Sequence, residues 1–125
     1  MQYFLAIAQP PNPDYDYDAP EFAENVKAWG DFTREIMQSG VLVSGASLQP
    51  TTTATTVRFV NDETSLVDGP FAETKEAFAG YYLIDVPDLD AALAWAKKLP
   101  VGDGSVEIRP VAMMPDATGT PVNVN

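Results

Sequence analysis

A chain of 125 residues, 46% of them hydrophobic and 10% aromatic, has enough apolar mass for one core of ordinary size and not for two. It contains no cysteine and no histidine, which excludes disulfides, thiolate nucleophiles, zinc-thiolate sites and any catalytic triad built on an imidazole. A formal charge of −11 at pH 7 with only 7 basic residues keeps the protein dispersed and sets it against phosphate backbones and anionic membrane surfaces.

In chain order, residues 2–9, QYFLAIAQ, are a short apolar run expected to be a first strand, closed by the Pro-rich PPNPDYDYDAP. Residues 10–20 hold four prolines and alternate Tyr with Asp, a composition that supports neither a ladder nor a helix and reads as a surface loop. From Asp18 as cap and Pro20 near the first helical position, Phe22, Val26, Trp29, Phe32, Ile36 and Met37 recur at helical spacing as far as Gly40. They predict a long amphipathic helix with a glycine stop. VLVSGASL (41–48) and TTVRFV (55–60) predict two further strands, and GYYLIDV (80–86) a stronger one ended by Pro87. Asp88 caps LDAALAWAKKL, with Asp90 in its first turn, Lys97 and Lys98 in its last, and Pro100 as the stop. SVEIRPV (105–111) supplies a last strand, and residues 113–125 read as an irregular tail beyond a single domain at 1–112.

Strand, helix, strand, strand, then strand, helix, strand is the split βαβ pattern of ferredoxin-like α+β folds, with two helices on one face of an antiparallel sheet. The strands have apolar residues on both faces: Tyr3, Leu5 and Ile7 oppose Phe4, Ala6 and Ala8, and Tyr82, Ile84 and Val86 oppose Tyr81 and Leu83. The second face calls for a cover, and the economical cover is a second copy, so a homodimer with sheets face to face is expected. No leader sequence and no membrane-spanning apolar stretch is evident, which points to a soluble, cytoplasmic protein with no membrane partner.

GVLVSGASLQP, ATTVR, VDGPFAETKEAFAGYYLIDVPDLDAALAWA and VEIRPV resemble the YCII-related proteins, specifically the branch named for its Asp-Gly-Pro-Phe motif, here Asp68-Gly69-Pro70-Phe71. The resemblance runs from Tyr3 to Val111 and implies a dimeric α+β barrel. It also implies an association with extracytoplasmic-function sigma factors, for which the branch has been described as transcription-related. In the wider group a His and an Asp are proposed as an acid/base pair, with the Asp at the position resembling Asp68. This chain has no histidine, so that proton shuttle does not carry over.

Asp68 therefore has two readings. It is a carboxylate at the mouth of a cleft, acting as a base or holding a ligand amine or cation. Or it is turn chemistry, with Gly69 in a conformation other residues dislike and Pro70 setting the exit. Phe71 reads as a core plug or a stacking platform. Glu73, Lys75 and Glu76 read as a solvated turn with local ion pairs, or as a charged cluster in which Lys75 or Glu73 reaches Asp68 or Arg109. Arg58 and Arg109 sit in apolar strands and call for a carboxylate, from Glu107 or Asp85 or from a ligand. Asp14, Asp16 and Asp18 lack the glycine and closing glutamate of a calcium loop, no glycine-rich turn cradles a nucleotide, and no other cofactor or metal motif is present. The function classes left are a small-molecule enzyme or binder using Asp68, Phe71, Lys75, Arg58 and Arg109, or a non-catalytic dimeric module for a protein partner that docks at loop 10–20.

Overall fold

The computed structural model describes residues 1–11, 18–70 and 75–125. β1 (Gln2–Gln9) alternates as its letters require, with Tyr3, Leu5 and Ile7 buried and Phe4, Ala6 and Ala8 half-buried. α1 (Pro20–Ser39) opens with Pro20, whose missing N–H is no loss in a first turn, and ends at Gly40 in the left-handed region (φ 80°). β2 (Leu42–Ser47) follows. Next come β3 (Thr55–Val60) and β4 (Glu63–Asp68), joined through Asn61 and Asp62 at φ 51° and 64°. Two successive positive φ values are the two-residue hairpin turn whose twist matches that of its strands. β5 (Ala77–Asp85) and α2 (Leu89–Ala96) come next; the Asp88 carboxylate accepts from the Ala91 backbone N–H at 2.9 Å and caps α2. β6 (Ser105–Pro110), β7 (Met113–Pro115) and β8 (Pro121–Asn123) complete the chain.

The main sheet is antiparallel in the order β2-β5-β1-β6, the ferredoxin-like arrangement, with β1 in register Leu5↔Tyr82 on one side and Leu5↔Ile108 on the other. Its core joins Tyr3, Leu5, Ile7, Ile84 and Val86 from the sheet side to Phe32 and Ile36 of α1 and to Ala92 and Leu99 at α2. Leu5, Ile36 and Ile84 are fully buried, each contributing roughly 1.5–3 kcal/mol by removal from water. Phe32 meets Trp95 edge to face at 6.2 Å, and Lys98 Nζ reaches Glu35 at 2.6 Å, so both helices are tied together on one face.

Three expectations are corrected by the structure. The α1 cap is Ala19, without a side-chain cap hydrogen bond, and not Asp18. Residues 55–60 do form a strand, but it pairs with the additional strand β4 in a two-stranded arm outside the main sheet. Residues 113–125, expected to be irregular, contain the β7–β8 hairpin. Its turn is held by Asp116, whose Oδ1 accepts from Thr118 N at 2.8 Å, Thr118 Oγ1 at 2.6 Å and Thr120 N at 3.0 Å. The Asn125 carboxamide also binds across the start of β1, accepting from Gln2 N at 2.7 Å and donating to Gln2 O at 2.8 Å.

Candidate functional site

The apolar residues of α1 divide into two stripes. Phe32 and Ile36 enter the core, whereas Phe22, Val26, Trp29, Thr33 and Met37, at steps of three and four, line a cavity beside it. Its opposite wall is the sheet edge around Leu42, Gly45–Leu48 and Ala79, Gly80 and Tyr82, and the space measures about 710 Å³. Small-molecule sites occupy roughly 300–1,000 Å³. Val26 and Met37 remain 54% and 61% exposed at its rim.

Two glycines keep the sheet wall bare. A Cβ at Gly80 would stand 2.6 Å from Ala46 O, and one at Gly45 would stand 3.0 Å from Tyr82 Cδ1. Against this wall the Trp29 and Tyr82 rings lie within 9° of parallel, with centroids 6.4 Å apart. Tyr82 also meets Phe32 edge to face at 5.3 Å, which fixes its ring, and its hydroxyl hydrogen-bonds Thr33 Oγ1 at 2.8 Å. Gln9 donates to Val101 O at 2.9 Å. No Asp, Glu, Lys or Arg is among the described lining residues.

The residues singled out from sequence are spread over other elements. Asp68 is exposed at the end of β4, opposite Thr55 and on the arm face that also carries Val57, Phe59 and Leu66. Arg58, opposite Ser65, points from the other arm face. Gly69 adopts φ 107°; its N–H donates to Ala54 O at 2.8 Å and its carbonyl accepts from Thr56 Oγ1 at 2.6 Å. The Asp-Gly-Pro stretch thus closes the arm through backbone groups. Arg109 lies on β6, the edge strand opposite β2, and pairs with Glu107 two residues before it. Lys75 is exposed just ahead of β5, and Glu76 accepts from Ser105 Oγ at 2.5 Å. Among the described residues no ion pair or hydrogen bond joins Asp68 to Lys75 or Arg109. Phe71, Glu73, Asp14, Asp16 and the tyrosines of loop 10–20 lie outside the described residues.

From spacing alone Trp29 and Met37 are indistinguishable from Phe32 and Ile36, and neither Asn25 nor Thr33 is among the residues singled out from sequence; in the structure Trp29 packs against the core as well as lining the cavity. The signal was present: Asn25 and Thr33 interrupt an apolar stripe at helical spacing, where a core-facing helix would carry apolar side chains.

A β2-β5-β1-β6 antiparallel sheet with two helices on one face and a cavity beside the first helix defines a ferredoxin-like α+β protein. The described residues contain no helix long and apolar enough to cross a membrane. The chain belongs to the YCII-related domain family, whose family model matches residues 1–115. It is also 47% identical over 83 residues to an uncharacterised protein of Rhizobium meliloti (strain 1021), an alignment that covers 64% of this chain and 67% of that protein.

Proposed function

We propose that this protein is a small-molecule enzyme or binder of the Asp-Gly-Pro-Phe branch of its family, acting as a homodimer, with its ligand held between α1 and the sheet. The observation that carries the reading is the cavity of about 710 Å³ walled by Trp29, Tyr82 and the bare backbone of Gly45 and Gly80. In this reading Asp68, which is not among the described lining residues, is the acid/base or ligand-orienting carboxylate acting from the arm and not a charge partner within the cavity. The arm that bears it springs from Thr51–Ala54 and Gly69, at the sheet end where Leu48 and Ala79 wall the cavity. The dimer is supported by the sheet face away from the helices, where Phe4 and Tyr81 stack at 5.1 Å beside an exposed Phe78.

A thermal-shift screen of a metabolite library tests this reading on wild type, Trp29→Ala and Asp68→Asn, because a ligand of the folded state raises Tm by mass action. Hits lost in Trp29→Ala place the ligand in the cavity, and loss in Asp68→Asn as well assigns the carboxylate. Hits that survive Trp29→Ala sink the cavity reading.

A second reading has its own observation. Phe59 and Leu66 on the β3–β4 arm are 77% and 74% exposed, and isolated two-stranded hairpins are marginal in water. An arm of this kind suits a non-catalytic module that engages a protein partner such as a sigma factor. Co-purification with that partner, abolished by Phe59→Ser with Leu66→Ser, is the expected result; recovery of the protein alone removes this reading.

A further inference from the structure

We infer that the cavity beside α1 takes an uncharged, planar aromatic molecule carrying a hydrogen-bonding substituent, read by the hydroxyl pair of Thr33 and Tyr82. This inference rests on the proposed ligand site and names the class of ligand.

Charge comes first. The described lining offers no ionised side chain, and an ionised group taken from water without a partner pays a desolvation cost that no contact with Val26, Met37 or Leu48 returns. Anions meet the further opposition of a chain at −11. Cations are drawn toward the protein by that same charge, but the described cavity residues hold no carboxylate to receive them.

Shape comes second. Trp29 on α1 and Tyr82 on the sheet present rings within 9° of parallel, and Gly45 and Gly80, beside Tyr82 on the same sheet wall, add no side chains to it. A sheet wall made of the Tyr82 ring and bare glycine backbone, facing the Trp29 ring of α1, accommodates a planar molecule, with the aromatic edges available for offset stacking.

Polarity comes third. Thr33 and Tyr82 have two O–H donors between them, and the 2.8 Å bond that joins them uses one. The other donor, and the spare lone pairs, belong to residues that both line the cavity. Asn25 adds an exposed carboxamide on the same stripe. A ligand with one acceptor or hydroxyl satisfies this pair, and a ligand with none leaves the donor unpaired.

Isothermal titration of the full chain with four probes of the same ring tests the inference: naphthol, naphthalene, naphthoate and naphthylmethylammonium. We expect naphthol to bind, and each charged analogue to bind on the order of ten-fold more weakly or not at all. Thr33→Val combined with Tyr82→Phe should weaken naphthol by roughly three- to ten-fold, the worth of one neutral hydrogen bond, and leave naphthalene unchanged. The two substitutions conserve volume, and an unaltered far-ultraviolet spectrum checks that the variant is folded. Equal or tighter binding of either charged probe overturns the inference, as does an equal loss of naphthol and naphthalene in the double variant. Binding of no probe also overturns it. In either case, library hits of another class that Trp29→Ala abolishes leave the cavity reading standing.

Discussion

The hydroxyls of Thr33 and Tyr82 meet at 2.8 Å, tying α1 to β5 across 49 residues of chain. They meet where the core ends and the cavity begins, because Tyr82 leans one edge on buried Phe32 and turns its face toward Trp29. A double-mutant cycle of Thr33→Val and Tyr82→Phe is expected to give a coupling energy of about 0.5–1.5 kcal/mol by chemical denaturation. Tyr82→Ala, which also removes both ring contacts, is expected to cost about 2–4 kcal/mol. A coupling of zero would mean that water replaces the bond without loss.

Gly80 is buried where β5 passes β2, and an added Cβ would stand 2.6 Å from Ala46 O and 3.1 Å from Ser47 Cα. Since the obstacles are backbone, β2 itself must move. Gly80→Ala is expected to destabilise the fold by about 1–3 kcal/mol and to speed amide exchange along β2. Unchanged exchange would show that the strand absorbs the methyl group.

The Phe4–Tyr81 stack, with centroids 5.1 Å apart and planes 16° from parallel, occupies the sheet face opposite the helices. If that face meets a second copy, sedimentation of wild type should give a dimer and Tyr81→Glu a folded monomer, because each copy would have to bury an unpaired carboxylate in the sheet-to-sheet contact. A wild-type monomer at every concentration tested removes the dimer.

Asp116 is held below the usual carboxylate range first by the Thr118 hydroxyl, then by the backbone N–H groups of Thr120 and Thr118. A depressed folded-state value means that its stabilising contribution is present above the unfolded value, about 3.9, and is lost as the pH falls through the folded value. The β7–β8 hairpin should therefore loosen in acid below about pH 4. Carboxyl carbon shifts of Asp116 followed by NMR give its midpoint. In Asp116→Asn the acid loosening of this hairpin should disappear, and its persistence would assign the transition to another group.

Asp88 caps α2 through a 2.9 Å bond from Ala91 N. Asp88→Ala is expected to cost about 1 kcal/mol in global unfolding, with Asp88→Ser recovering most of it. Equal stability of Asp88→Ala and wild type would assign the helix start to packing of Ala92 alone.

Much of this architecture is legible in the sequence because its causes are local. Alternation in residues 2–9, helical spacing from Phe22 to Met37, Pro20 and Gly40 at the ends of α1, and Asp88 ahead of α2 each act within a few residues. The β3–β4 arm was half legible. Asn61-Asp62 is a two-residue hairpin signal, but ETSLVD is exposed along its whole length, so no burial pattern marks it as a strand. The tail hairpin escaped for a similar reason, since Asp116 organises it by hydrogen bonds and not by apolar periodicity.

Local signals in the sequence are enough for α1, α2 and the four strands of the main sheet, for the acidic charge and for the absence of imidazole and thiol chemistry. The position of the cavity follows from packing between elements distant in sequence. Phe32 and Ile36 satisfy the helical period, and so do Trp29 and Met37. The docking of α1 on the sheet and against Trp95 of α2 buries the first pair in the core, leaves Trp29 half-buried between core and cavity, and leaves Met37 exposed at the rim. Likewise, Asp68, Arg58 and Arg109 are close in chemistry but are placed on two arm faces and a far edge strand, because strand pairing, set by contacts distant in sequence, decides which side chains share a face.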